Sequence, residues 1–507
     1  MDENRKSEDV PVPFEEALNR TGNGLYNYLL AITCALILLA IGTDLFGFSL
    51  VVAAACDLNL TVKQTGILTS LPFVGILLVS YVWGYVSDTK GRRFALVMPL
   101  TMSFILACIG SLSPHWLFLG LAKFLSVIFS CAANSATYTL VGESCIQRVR
   151  SKYMLLMTCL LLLSPAMGAI LAYPTLKLDL AIDVPLLGIV YRPWRILVVV
   201  LALPSGLGAI AIYFFYESPK FLFNCGRKEE ALEVLKKIHA INHRGTKEEL
   251  KVDSLVLEDA TTKKQMSVLR AIVEQSAPLF RFPHLRRSLQ LYYIVGVVYI
   301  TNNSFLMWLP QILNLVRISM ESSTAGEGNI CSLMTLKPHV QASANSTSET
   351  HVCRGHVEDN VIYTLIISQF IFSFLNFVIS CLPNRRKVVL LTILSASSFS
   401  GVMLNLTPET ISSVIFFVIF TSTCLGMGIL ASFFVDLYPT SYRGMATCLS
   451  IMVGRSCAFV GINLVGNLIF NYCQGTFYLW SLLVFSSVVA AWFLPPDKSP
   501  EAKSNTV

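Results

Sequence analysis

The chain has 507 residues, 54% of them hydrophobic and 14% charged, with a formal charge of +7 and a mean hydropathy of +0.63. Soluble domains carry about 25% charged residues, so this composition excludes a water-soluble globular fold and points to a polytopic membrane protein. The positive charge is small and one-sided along the chain, and it calls for no nucleic-acid partner.

Residues 1–25 form a polar tail containing Glu3, Glu8, Asp9, Glu15 and Glu16 and lack an apolar h-region, so no cleavable signal peptide is expected. Six runs long enough to span as helices follow at 26–52, 66–87, 94–112, 116–141, 153–173 and 195–216, which defines a first bundle over 26–216. The polar stretch 217–287 is expected to be a cytoplasmic linker with short helices, because Ala231, Leu232, Leu235 and Ile238 recur at helical spacing. Six more runs at 289–315, 361–382, 388–404, 411–436, 445–469 and 476–494 make a second bundle over 288–494. It contains an outer loop, 316–359, and is followed by a tail, 495–507. The expected fold is an all-α membrane protein of twelve transmembrane helices in two pseudo-symmetric six-helix bundles.

Basic residues set the orientation. With both termini cytoplasmic, 29 of the 38 Lys and Arg fall inside, seven fall outside, and two, Lys123 and Arg455, lie within spans. Sequons at Asn59, Asn345 and Asn405 lie on expected outer segments and are candidate glycosylation sites, whereas Asn19 and Asn302 match the pattern on the inside and within a span. Most of the fourteen cysteines lie in spans, where a thiol behaves as a small apolar group, and no CxxC or Cys/His spacing suggests a metal. Cys331 and Cys353 bracket the outer loop. In an oxidising compartment they are expected to pair, the alternatives being free thiols or pairing with Cys56 or Cys473.

Two stretches repeat the same charges at an offset of about 293 residues: Arg92 and Arg93 recur as Arg385 and Arg386, Glu143 as Asp436, and Arg150 as Arg443. Each half thus carries a basic pair and, further on, an acid followed seven residues later by an arginine, which together suggest a conformational latch at one membrane face. The first copy reads Gly84-Tyr-Val-Ser-Asp88-Thr-Lys-Gly91-Arg92-Arg93. Here Gly84 would permit close helix contact, Gly91 a tight turn, Asp88 a cap on a neighbouring helix, and the arginines contact with carboxylates. The second copy, Pro383-Asn384-Arg385-Arg386-Lys387, keeps the arginines but loses the Asp and Gly.

The first copy resembles the loop signature of the major facilitator superfamily. Glu217-Ser-Pro-Lys-Phe-Leu and the helical segment from Gly226 resemble the inner segment of its sugar and organic-ion porters. Phe14-Glu-Glu-Ala-Leu-Asn-Arg-Thr-Gly22, Asp44-Leu-Phe, Tyr216-Glu-Ser-Pro, Arg195 in Pro-Trp-Arg and the sequon-bearing loop resemble the synaptic-vesicle-glycoprotein-2-like branch. That branch typically carries two acids three residues apart in its first span; here Ile41 occupies the first position and Asp44 alone remains. The resemblance implies that the first and fourth spans line a central cavity, which makes Asp44 and Lys123 neighbours. Charges within the membrane are functional candidates. Asp44 is expected to bind a cation or take up a proton, and Arg455 and Lys123 to orient an anionic group. Asn134, Asn302 and Asn303 are candidate solute contacts, with interhelical bonding as their alternative role.

The expected function is alternating-access transport of a small organic solute or organic ion, with a proton or ion as coupling partner. The protein would be a monomer in the lipid bilayer of the plasma membrane or of vesicles. The alternative is a non-transporting vesicle-type glycoprotein acting as receptor or regulator. No enzyme, cofactor or metal is expected, since no nucleophile elbow or phosphate loop occurs at a useful spacing.

Overall fold

A computed structural model describes residues 12–495 apart from 186–187, 244–249, 251, 253, 257–276, 282–284, 323–327, 336–356, 358, 381–384 and 439. Among the described residues, ten helices are long and apolar enough to cross a membrane, and the bent pair Gln147–Leu162 and Ser164–Leu176, meeting at 43°, makes an eleventh. The helix Leu285–Ser322 completes the expected twelve, though its central Thr301-Asn302-Asn303-Ser304 dilutes its apolar character. The first half holds Leu25–Ala54, Val62–Lys90, Phe94–Ser111, Trp116–Ser144, the bent pair and Pro193–Tyr213. The second half holds Leu285–Ser322, Asp359–Ser380, Arg386–Leu406, a tenth span from Thr410, Thr440–Ile469 and Cys473–Trp492. Spans are numbered first to twelfth in that order below.

Local chemistry sets the helix ends. Thr61 caps the second span: its side chain accepts from the Gln64 amide while the Gln64 side chain accepts from the Thr61 amide, a reciprocal capping box. The same helix stops at Gly91, whose φ of +102° is one that L side chains rarely adopt. Where the first and fifth spans cross, a Cβ built on Gly168 would lie 3.1 Å from the Gly47 Cα, tighter than ordinary contact, so the paired glycines ease the close approach of the backbones. The fourth span is interrupted for one residue at Cys131, between Trp116–Ser130 and Ala132–Ser144. The tenth changes from α-helix to 3₁₀ over Thr421–Leu425 before resuming as Gly426–Leu437.

Beside the first bundle, a small apolar core joins the N-terminal helix Phe14–Arg20 to the linker helices Pro219–Asn224 and Lys228–Asn242. Phe14, Ala17 and Leu18 pack there with Phe221, Ala231 and Leu235, and Val12–Pro13 pairs in parallel with Leu255–Val256. Ala231, Leu235 and Ile238 are buried and Leu232 packs against them half-buried, the face their spacing predicts.

Two sequence expectations are corrected here. Cys331 is bonded to Cys473 (Cα–Cα 5.4 Å, 142 residues apart), not to Cys353, which lies outside the described residues. The short helix Ile330–Thr335 folds back onto the ninth, tenth and twelfth spans, which carries Cys331 to the start of the twelfth. Cys56 is also disulfide-bonded. Asn405 is not a free acceptor for a glycan: it is 8% exposed, and its side-chain amide donates to the Gln474 carbonyl at 3.1 Å. Asn59 is exposed, whereas Asn345 lies outside the described residues.

Candidate functional site

Between the two halves lies a cavity of ≈ 160 Å³, room for on the order of ten waters. The first half contributes Ile41, Gly42, Ser130 and Asn134, and the second contributes Tyr299, Asn302, Asn303, Gln369, Asn376 and Arg455. Arg455 projects from the eleventh span, so that its guanidinium lies over the Phe73 ring of the second span at 5.4 Å from the centroid. Its Nε is buried without a hydrogen-bond partner, and no carboxylate among the described residues forms an ion pair with it. A planar, permanently charged fork facing a shared cavity is suited to bidentate binding of a carboxylate or similar anion. Asn302 is nearly buried at the cavity wall; the Asn303 amide donates to the Tyr299 carbonyl of its own helix at 3.0 Å. Gln369 and Asn376 were not singled out from sequence, because an amide in a span looks the same whether it binds solute or a neighbouring helix.

Asp44 and Lys123 do meet, but behind the cavity wall rather than on it. Lys123 Nζ donates to Asp44 Oδ1 at 2.6 Å and to the Asp44 carbonyl at 2.7 Å, and both side chains are 5% exposed. The Phe48 ring covers the ammonium at 4.9 Å. Gly42 and Leu45, the neighbours of Asp44, line the cavity, while Asp44 and Lys123 are absent from its lining. The expectation that Lys123 orients an anion is therefore corrected: its charge is already matched.

At one end of the first half, Arg92 is nearly buried and holds the predicted motif together. Its guanidinium pairs with Asp88 at 3.0 Å and Glu143 at 3.0 Å and donates to the Ser87 carbonyl at 2.9 Å. Glu143 also accepts from Ser218 Oγ at 2.5 Å. Glu217 accepts from the Arg92 and Arg93 amides at 2.9 and 3.1 Å, and it occupies the space that a Cβ on Gly91 would need. Several expected roles change. A Cβ on Gly84 would meet nothing within 4 Å, so this glycine does not mediate close packing. Asp88 pairs with Arg92 instead of capping a helix. The Arg93 side chain donates to the Tyr213 carbonyl and stacks on its ring rather than meeting a carboxylate. Arg150 pairs with Glu15 of the N-terminal helix at 3.2 Å, not with Glu143. These contacts lie within the first half and its flanking segments. In the second half, Arg386 stacks over Phe433 at 5.7 Å and Arg385 is exposed at the start of the ninth span. The side chains of Asp436 and Arg443 lie outside the described residues.

At the opposite end, the halves are bridged directly. Lys177 after the fifth span pairs with Asp359 of the eighth at 2.8 Å, and Tyr363 Oη donates to Tyr173 Oη at 2.7 Å. The hydrogen bond to Asp359 raises the Lys177 ammonium above the ordinary lysine range. Deeper in, Asn463 of the eleventh span donates to Ser70 of the second at 2.8 Å. On the same side, Arg195 is 2% exposed and staples the first half through the carbonyls of Ser111, Ser113 and Val190 and the Asp57 carboxylate, with Trp194 donating to Asp57 at 2.7 Å.

Two six-helix halves around a shared cavity, bridged at one end, define the architecture of a membrane carrier. A model of the Major Facilitator Superfamily matches residues 32–336, more than half of the chain, and the chain belongs to that family. Among curated proteins it is similar to synaptic vesicle glycoprotein 2C of Rattus norvegicus (24% identical over 291 residues, 56% of this chain and 39% of that protein). It is also similar to the putative transporter svop-1 of Caenorhabditis elegans (27% over 229 residues, 45% and 41%). The chain thus covers about two fifths of the length of these relatives. Among solved structures it resembles the inward-open xylose transporter XylE from E. coli, with a TM-score of 0.65, 13% identity and coverage of 94% of this chain and 98% of that one. A D-xylose-proton symporter gives a TM-score of 0.61 at 12% identity, covering 93% and 99%.

Proposed function

We propose that the chain moves a small organic anion across a membrane by alternating access, the two halves rocking about the Arg455 cavity. One observation carries this reading: a guanidinium without a counter-charge among the described residues faces a cavity shared by both halves. No carboxylate of the described residues meets this charge, so an anionic solute entering the cavity would gain charge-assisted hydrogen bonds from it. The distribution of basic residues supports a cytoplasmic Arg92 cluster, and on that orientation the Lys177–Asp359 bridge would be the outer gate, closed in this state. The Asp44–Lys123 pair is the coupling element: a proton taken up by Asp44 would release Lys123 and loosen the first span against the fourth. The protein works as a monomer in the plasma membrane or in vesicles. Asn59 is its remaining described glycan acceptor.

The test is flux into proteoliposomes with panels of carboxylates, sulfonates, sugars and amines, run beside Arg455→Gln. Arg455-dependent uptake confined to anions supports the reading; uptake of sugars or amines unaffected by Arg455→Gln overturns it. No flux of any solute would favour the second reading, a non-transporting membrane glycoprotein, which the similarity to synaptic vesicle glycoprotein 2C supports.

A further inference from the structure

The second half contains another opening, unrelated to the sequence motifs. A groove of ≈ 750 Å³ runs between the seventh, eighth, ninth and tenth spans, with walls of Ile367, Ile371, Ile393, Ile411, Ile415 and Val418. Ile367, Ile371, Ile411 and Ile415 are all more than half exposed on membrane-spanning helices, so the groove opens toward lipid. Its occupant is constrained by what lies behind it. Phe372 and Leu425 line this groove and also the central cavity, so two side chains form a common wall between them. At that wall the tenth span leaves α-helical form over Thr421–Leu425. A stretch of 3₁₀ inside a long helix often marks a hinge, and here it carries one of the two wall residues. On the far side stands Arg455, without an ion-pair partner among the described residues.

We infer that the solute is an amphiphilic anion: its head is held by Arg455 in the central cavity, and its apolar tail passes Phe372 and Leu425 into the lipid-facing groove. The inference rests on the anion reading proposed above and narrows it to single-chain amphiphiles. A polar solute would leave the groove unused, whereas a tail there keeps its apolar surface out of water while the head finds the one kind of partner the guanidinium lacks. The wall at Leu425 serves as a side entrance, because the tail then reaches the cavity from the lipid side.

The test uses the full chain in nanodiscs and three photoreactive probes sharing a dodecyl tail with a diazirine near the methyl end. Their heads are a carboxylate, an alcohol and a trimethylammonium. Labelled peptides are mapped by mass spectrometry. The carboxylate probe is expected to label the tenth and eighth spans at Ile415, Val418 or Ile371 about tenfold above the other two, the scale of one charge-assisted hydrogen bond. Arg455→Gln should bring it to their level, and Arg455→Lys, which keeps the charge, should retain most of the label. Equal labelling by all three heads would mean that the groove takes any lipid tail, and would overturn the inference. So would labelling that survives Arg455→Gln, or labelling that misses the groove. Flux of the dodecyl carboxylate and of two- to six-carbon carboxylates into proteoliposomes is measured in parallel. Head-selective labelling without flux would sink transport but not this site; flux without head-selective labelling would sink this site alone.

Discussion

Arg455 and Lys123 are both cations inside the membrane, yet their surroundings give them opposite roles. Lys123 has a carboxylate at 2.6 Å and an aromatic ring over its ammonium, so its charge is already met. Arg455 has no carboxylate partner among the described residues and lies over the Phe73 ring, and cation–π attraction contributes about 0.5–2 kcal/mol. Arg455→Gln is therefore expected to lower anion uptake at least about tenfold, whereas Arg455→Lys keeps part of it, because lysine retains charge but not the planar fork. Initial rates in proteoliposomes check this, and unaltered rates in Arg455→Gln would end the anion reading. The Asp44–Lys123 pair makes a different prediction. Removing one member of a buried pair costs about 3–5 kcal/mol, and removing both can be neutral. Asp44→Asn should lower the melting temperature in detergent, and Asp44→Asn with Lys123→Met should recover most of it. If the double variant folds and still accumulates solute against a gradient, the pair is structural and coupling lies elsewhere.

At the scale of elements, the disulfide and the Arg92 turn make the clearest claims. Cys331–Cys473 closes 142 residues of chain, and a bridge of that span is expected to stabilise by about 2–5 kcal/mol. Cys473→Ser should lower the unfolding temperature, and non-reducing peptide mapping should recover a Cys331–Cys473 cross-link. A Cys331–Cys353 peptide in its place would contradict this geometry. The sequence signals divide according to how local their causes are. The spans were readable because long apolar runs ended at charges, and Gly91 because a turn between Lys90 and Arg92 needs a residue tolerant of positive φ. Thiol partners were not readable: a loop bracketed by two cysteines says nothing about a short helix that carries one of them to another span. Arg150 misled for a related reason. Its seven-residue spacing from Glu143 put both in one expected latch, but the two flank the sharp turn between spans, and the N-terminal helix supplied Glu15 instead. The cavity amides Gln369 and Asn376 were equally hidden, since their role depends on which face of the helix turns inward.

For the whole molecule, the decisive arrangement is asymmetric: the basic motif lies within the first half, whereas the bridge between halves is at the other end. The described contacts of Arg92 do not themselves tie the halves together, and the second copy of the motif has lost the Asp and Gly that shape the first. The gate to test is therefore Lys177–Asp359 with Tyr173–Tyr363. Lys177 is stabilised as an ammonium by Asp359, so its folded pKa is raised. The pair's contribution is then fully present below the ordinary lysine pKa and fades only as pH rises through the raised value, in the strongly alkaline range. Physiological pH changes should not open this gate through Lys177, but salt should, because both side chains are about two-fifths exposed and screened. Lys177→Glu, which sets two carboxylates against each other, should reduce bismaleimide cross-linking between Tyr173→Cys and Tyr363→Cys severalfold, within the modest range of exposed pairs. The swap Lys177→Asp with Asp359→Lys should restore it. Cross-linking that ignores the single reversal would mean that other contacts, the Asn463–Ser70 bond among them, hold this end closed without the ion pair.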